Sequence, residues 1–284
     1  GEGKLHLLNQ FGVGEEIFAE FRQIKPRTQN LDINLTYPYL LNSPIGTFGA
    51  FNLYKNDSIF VDINSKIGVM YQFQGLNQLR LFYQNKTSNI LNADTTAIKA
   101  SGTLPDVLDI RNNQYGISYS MQRLDYVLNP RKGYNFEING IVGVNTIRKN
   151  QSIASLISFD GTPISSAYDS LSLKRTNYTL GVTFSGYIPI RKRATFLLKN
   201  QTGIYIANNI LTNEKFRIGG YRQLRGFDEE AIFTPYYSIF TAEFRFLLSK
   251  NSFFSVFSDA AIVEDERFGA GNIDVPIGFG LGVA

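Results

Sequence analysis

The residues best placed to do chemistry lie in Lys215–Pro235, which reads KFRIGGYRQLRGFDEEAIFTP. Two cations, Arg222 and Arg225, stand close to three anions, Asp228, Glu229 and Glu230. A charged, Gly-rich connection of this kind is ordinarily a solvated surface loop. The rest of the chain alters that reading. Catalysis has less to draw on. His6 is the only histidine, near the first strand-like run, with no nucleophile or carboxylate constellation around it. Asp125, Asp228 and Asp265 have no partners at a metal-binding or catalytic spacing. The chain has no cysteine, hence no disulfide, thiolate metal site or cysteine nucleophile. No cofactor, no metal and no enzymatic function are expected.

The elements that must position this loop are strands. The chain has 284 residues, 43% of them hydrophobic, with a mean hydropathy of −0.12, only 18% charged residues and 14% aromatic residues, all Tyr and Phe. A soluble enzyme of this size usually carries more charge. The net charge of +4 is weak, and Arg191-Lys192-Arg193 reads as a solvated turn, so nucleic-acid binding is not expected. No apolar run approaches the roughly 18 residues of a membrane helix. No signal peptide is visible at Gly1, as expected for a mature or trimmed segment.

The dominant pattern has a period of two. Leu31, Ile33, Leu35, Tyr37 and Tyr39 alternate with Asp32, Asn34 and Thr36. The same alternation recurs through Ile59–Phe73, Tyr115–Gln122, Tyr134–Asn145, Asn177–Ile190, Phe240–Leu248 and Ile273–Val283, the last with a run of Gly on its second face. Weaker runs at Leu5–Gln10, Glu16–Ile24, Thr47–Lys55, Gln78–Gln84, Ala194–Ile206 and Phe253–Val263 bring the expectation to about thirteen strands. Such strands suit a soluble sandwich or barrel, or a barrel in a membrane.

Three features favour the membrane. One face of the strands carries Tyr, Phe, Leu, Ile and Val almost without a charge, as lipid enforces at about 2–4 kcal/mol per midplane Lys or Arg. The other face carries Asn, Asp, Lys, Glu and Gly, as a wet lumen would. The strands are about ten residues or longer, enough to span a tilted path. Connections also alternate in length. Short ones lie near Asn42–Pro44, Gln74–Asn77, Leu128–Lys132, Arg191–Arg193 and Lys250–Ser252; long ones are Lys86–Arg111, Ile147–Arg175, Lys215–Pro235 and Glu264–Asn272. Pro26–Thr28 and Asn56–Asp57 are short where long ones were due. Short turns on one rim and long loops on the other mark an outer-membrane barrel. The chain starts and stops in strands, and an open edge in lipid is costly, so further strands are expected beyond its ends. The loops Lys86–Arg111 and Ile147–Arg175 are rich in Ser, Thr, Asn and Asp and are expected to be exposed and mobile.

Several segments then share one resemblance. Gln223-Leu224-Arg225-Gly226-Phe227 resembles the long sixth-loop signature of the BamA/TamA (Omp-eighty-five, bacterial surface antigen) superfamily of outer-membrane assembly and secretion barrels: an aliphatic residue, Arg, Gly, then Phe or Tyr. Phe216-Arg217-Ile218-Gly219-Gly220 resembles its Gly-Gly lead-in. Leu35–Leu40 resembles a family strand end with Thr, Pro and an aromatic; Asn129-Pro130-Arg131-Lys132-Gly133-Tyr134 its Asn-Pro-x-x-Gly turn; and Tyr187-Ile188-Pro189-Ile190 the strand end before its eleventh strand. Phe257-Ser258-Asp259-Ala260-Ala261 is similar to Phe-x-Asp-x-Gly on its thirteenth strand, with Ala261 replacing the Gly. No one motif is specific; their shared order over nearly the whole chain is. The resemblance implies an all-β, transmembrane antiparallel β-barrel of sixteen-strand type, with strands two to fourteen in residues 1–284 and the periplasmic POTRA modules outside them.

In the family the sixth loop folds back into the lumen and its Arg pairs with acidic groups on the wall. The matching loop-lock motif is Arg225, Gly226 and Phe227, with Glu243 and Asp259 as inner-wall partners. Strand parity agrees: Phe240, Ala242, Phe244 and Phe246 face lipid, which turns Glu243 inward, and Phe254, Val256, Ala260 and Ile262 do the same for Asp259. Gly226 is expected to let the backbone approach the wall, and Phe227 to plug the lumen. The resemblance implies a non-enzymatic factor in the bacterial outer membrane that inserts and folds β-barrel proteins. Its implied mechanism is a weak seam that pairs with substrate strands and a thinned bilayer. Its implied partners are unfolded outer-membrane proteins, outer-membrane lipids, and accessory lipoproteins or periplasmic chaperones. A secretion translocator of two-partner type, acting on a secreted partner protein, is the alternative; a passive porin or a barrel enzyme comes after it.

Overall fold

The period-two segments form strands throughout. The computed structural model describes residues 1–73, 76–264 and 272–284. In chain order the strands are β1 (Glu2–Leu8), β2 (Glu16–Lys25), β3 (Thr28–Tyr37), β4 (Ile45–Asn56), β5 (Phe60–Gln72), β6 (Gln78–Ile90), β7 (Ile110–Leu124), β8 (Gly133–Ile147), β9 (Lys174–Arg191), β10 (Ala194–Ile206), β11 (Phe216–Ile218), β12 (Ile232–Thr234), β13 (Tyr236–Leu247), β14 (Phe253–Glu264), β15 (Ile273–Asp274) and β16 (Ile277–Val283). All but β11 and β12 belong to one 14-stranded antiparallel meander, each strand paired with its neighbour in sequence. Both β15 and β16 pair with β14 and form one strand interrupted at Val275-Pro276. Pro276 has no N–H to give, yet its carbonyl still accepts from Ala261 N–H at 3.0 Å, so the ladder continues across the break. Among the described residues the wall therefore has thirteen strands, in line with the about thirteen expected from the alternation.

Parity sets the two faces. Leu35, Ile67, Leu81, Tyr115, Ile117, Val142, Tyr178, Phe240, Phe244 and Leu281 all stand exposed on the outer face. So continuous an apolar surface is unsuited to water and suited to hydrocarbon. The alternate residues turn inward, where Glu20, Asp62, Gln84, Asn112, Gln114, Asn177, Glu243 and Asp259 are buried.

The inner side differs from the expected wet, polar lumen in two places. Ile239, Ala261 and Val263, on the inner face of β13 and β14, form an apolar patch with Ile218 and Leu224 of the long loop. The second departure corrects the reading of the loops Lys86–Arg111 and Ile147–Arg175 as exposed connections. They carry three short helices, α1 (Thr95–Ser101), α2 (Gln151–Ala154) and α3 (Ser165–Asp169). Ile98, Leu108, Ile153, Ile164 and Tyr168 from these loops pack with Ile110 and Ile147 at the ends of β7 and β8 into a buried core. Two of the polar residues that suggested solvent are caps: Asp94 accepts from Thr96 and Ala97 N–H at the start of α1, and Asn150 from Ser152 and Ile153 N–H at the start of α2. The helices are too short for an apolar period to show.

Asp125 also has a local structural task. Its carboxylate accepts from the N–H groups of Tyr126, Arg131 and Lys132 at 3.0, 2.9 and 3.1 Å, closing the turn between β7 and β8. Burial alone would raise its pKa; the backbone donors outweigh that and hold it below the usual carboxylate range. Asp265, most of Glu264–Asn272 and half of the turn at Gln74–Asn77 lie outside the described residues.

Candidate functional site

The long connection between β10 and β13 leaves the rim, runs along the inner wall and returns. Its ends pair with each other as the hairpin of β11 and β12. At its tip the chain must reverse tightly. Gly219 and Gly220 sit at φ of +124° and +90°, and a Cβ on Gly219 would lie 2.3 Å from the carbonyl of Asp228. Only glycine accommodates both demands. Gly220 N–H then donates to the carbonyl of Phe227 at 3.1 Å, and Leu224 N–H to that of Gly220 at 3.1 Å, so residues 220–227 form a closed, hydrogen-bonded tip.

Arg225 projects from that tip between two wall strands. Its Nε and Nη2 donate to the two carboxylate oxygens of Asp259 at 2.7 and 2.9 Å, and its Nη1 donates to Glu243 at 2.7 Å. Its own backbone N–H adds a bond to Asp259 at 3.0 Å. The guanidinium lies over the Phe257 ring, 3.5 Å from the centroid. Asp259 is fully buried and Glu243 nearly so. Burial opposes the charge on Arg225, but the bonds to Asp259 and Glu243 outweigh it and raise the guanidinium pKa. Arg245, inward on β13, donates to the other oxygen of Glu243 at 2.8 Å. Each nitrogen of the fork thus donates to a buried acceptor, the geometry in which an ion pair resists separation.

Gly226 and Gly278 explain how the loop gets so close. Gly226 has φ +94°, and a Cβ there would meet the Cα of Gly278 on β16 at 3.2 Å. A Cβ on Gly278 would lie 1.9 Å from the Arg225 carbonyl oxygen. The run of Gly in the last strand places Gly278, Gly280 and Gly282 on its inner face, and β16 serves there as a flat bed for the loop. Gly278→Ala is therefore expected to push the loop off the wall without changing any charge, at about 1–3 kcal/mol of stability. Increased trypsin cleavage at Arg222 or Arg225 in the folded barrel checks it. Phe227 is half-buried at the edge of the apolar patch; the fully buried anchors are Leu224 and Ile218.

Sequence reasoning missed two further anchors. Arg222 makes a bidentate pair with Glu20 on β2, at 2.7 and 2.9 Å, and reaches Glu2 on β1 at 3.1 Å. Arg217 pairs with buried Asp62 on β5 at 2.8 Å and stacks on Tyr54 of β4, 3.7 Å from the ring centroid. Arg222 and Arg225 are three residues apart, yet one grips β2 and the other β14. The sheet therefore curls until its first and last strands both reach one loop tip. A signal existed: Glu20 and Asp62 occupy inward, buried positions that a lumenal cation could partner. At the root of the loop, Glu214 holds Arg175 at 2.8 Å and the Tyr205 hydroxyl at 2.7 Å, and also pairs with Asn145. A cavity of about 450 Å³ remains between loop and wall, lined among others by Lys66, Gln84, Lys86, Asn112 and Arg217. His6 bonds Glu16 across the β1–β2 pair at 2.8 Å. Among the described residues no cluster of three or more metal-ligating side chains occurs.

Comparison with known proteins agrees with this architecture. The chain superimposes on the crystal structure of BamA from Haemophilus ducreyi lacking POTRA domains 1-3 with a TM-score of 0.63 and 14% identity, over 99% of this chain and 60% of that one. It superimposes on CdiB from Acinetobacter baumannii with a TM-score of 0.60 and 12% identity, over 100% of this chain and 49% of that one. The chain thus spans about half to three-fifths of the length of these proteins, and at such identities the likeness is one of fold. No curated protein sequence matches it significantly. Residues 9–284 match the Omp85 superfamily domain, and the chain, an antiparallel wall with its long loop bound on the inner face, belongs to that superfamily of outer-membrane β-barrels.

Proposed function

We propose that this barrel is the membrane part of a BamA/TamA-like assembly factor that inserts and folds β-barrel proteins in the outer membrane, without enzymatic chemistry. The observation that supports this reading is the loop clamp: one loop tip holds the first strands through Arg222 and the last strands through Arg225. Tying β2 and β14 to one loop tip from inside holds the curvature of the wall, and in this reading the seam strands, which are expected beyond residues 1–284, exchange partners with an incoming strand by β-augmentation. Its substrates are unfolded outer-membrane proteins, with accessory lipoproteins or periplasmic chaperones delivering them. A loop across the lumen speaks against a passive porin.

Nearly equal likeness to the BamA and CdiB barrels favours one second reading, a translocator for a single secreted partner protein. Depletion of the full-length protein, followed by quantification of the outer-membrane proteome, separates them. The assembly reading expects a broad fall in barrel proteins. Loss of one exported protein with other barrels unchanged would replace it with the translocator.

A further inference from the structure

The short turns at residues 125–132, 192–193 and 248–252 form one built surface. The Tyr126 hydroxyl donates to Asn251 at 2.9 Å, Asn129 Nδ2 donates to the Lys250 carbonyl at 3.3 Å, and Arg131 donates to the Arg191 carbonyl at 3.4 Å. Lys250 also lies over the Tyr126 ring, 4.7 Å from its centroid. Between the turns is a cleft of about 510 Å³ lined by Arg131, Lys192, Arg193 and Lys250, together with Asn129 and Asp125. The one carboxylate there, Asp125, accepts from three backbone N–H groups on its Oδ1 and forms an ion pair with none of the cations. Among the described residues none of the four cations forms an ion pair. Asn129 is only 4% exposed, yet its Oδ1 has no hydrogen-bond partner.

We propose that this cleft binds the headgroup of an anionic glycerophospholipid at the membrane surface. The cations suit the phosphate, and Asn129 Oδ1 suits a headgroup hydroxyl donor. The apolar edge of the same surface favours lipid over an acidic protein. Val127 and Leu128 in the first turn are 58% and 76% exposed, and Ile188, Ile190 and Leu248 stand exposed beside the other two turns. These side chains continue the outer apolar face to the level of the cations, which is the arrangement of a headgroup flanked by its own acyl chains. Short turns of outer-membrane barrels face the periplasm, which places the cleft at the inner leaflet.

The test uses the full-length protein in an uncharged detergent, titrated with dioctanoyl phosphatidylglycerol or phosphatidylcholine and read by native mass spectrometry. The wild type is expected to retain the phosphatidylglycerol at least about tenfold better than the phosphatidylcholine, and the variant Lys192→Gln/Arg193→Gln/Lys250→Gln to lose that preference. Heat-modifiable migration of the variant in gels verifies that its barrel is folded. Equal retention by wild type and folded variant overturns the proposal. So does displacement of the lipid by millimolar inorganic phosphate, which would mark a free-anion site. Loss of poly-glutamate binding in the variant with lipid retention unchanged would make the surface a protein-docking one and also overturn it.

Discussion

Arg225→Ala is expected to give a folded barrel, at normal abundance, that has lost much of its function and about 3–5 kcal/mol of stability. The loss follows from what the side chain leaves behind. Glu243 keeps the Arg245 bond at 2.8 Å and is partly compensated. Asp259 is fully buried and loses both guanidinium bonds at once. Arg225→Lys should recover only part of the loss, because one ammonium cannot hold both oxygens of Asp259 and reach Glu243. The barrel itself should persist, since its meander of backbone ladders does not pass through the loop. Urea unfolding in lipid vesicles measures the stability term, and the outer-membrane proteome of cells carrying the variant measures function. Wild-type activity at normal abundance would remove the lock from the account.

Glu214→Gln carries an expected loss of similar size, about 3–5 kcal/mol, but at the root of the loop rather than its tip. Glu214 and Arg175 are both almost fully buried and pair at 2.8 Å. Glutamine keeps the shape and some hydrogen bonding to Tyr205 and Asn145, but it leaves the Arg175 charge uncompensated. Arg175 Nη1 still donates to the carbonyls of Asn208 and Asn209, so strain should fall on the segment joining β10 to the loop. Limited proteolysis is expected to open first near residues 207–215, with the Arg225 contacts intact. Because the two nodes share no partners, Glu214→Gln and Arg225→Ala should add in free energy. Unchanged proteolysis and stability in Glu214→Gln would show that the root is held by apolar packing alone.

What the sequence made legible was whatever repeats. Thirteen strands and their inward and outward faces follow from a period of two, and the inward positions of Glu243 and Asp259 follow from the same parity. The loop tip was legible only through its resemblance to a known signature, because local composition is equally that of a solvated loop. The anchors at Arg222 and Arg217 were not legible: their partners Glu20 and Asp62 lie about 200 and 155 residues away, and no local pattern records which inward carboxylate a loop arginine meets. The helices between β6 and β7 and between β8 and β9 were hidden for another reason. Each is a turn or two long with one buried residue, only α1 and α2 carry a side-chain cap, and their shared core draws together two loops about 50 residues apart with Ile110 and Ile147 at the adjoining strand ends. The glycines of β16 were visible as a run. Their use appears only when the Arg225 backbone is seen lying on Gly278.

The most direct test of the clamp is a double-mutant cycle between Arg225→Ala and Asp259→Asn, with unfolding free energies measured in lipid vesicles. The contacts described here predict a coupling of about 1–3 kcal/mol, with the double variant scarcely worse than the poorer single one. Free energies that simply add, within about 0.5 kcal/mol, would mean that Arg225 does not hold the wall through Asp259, and would contradict the account.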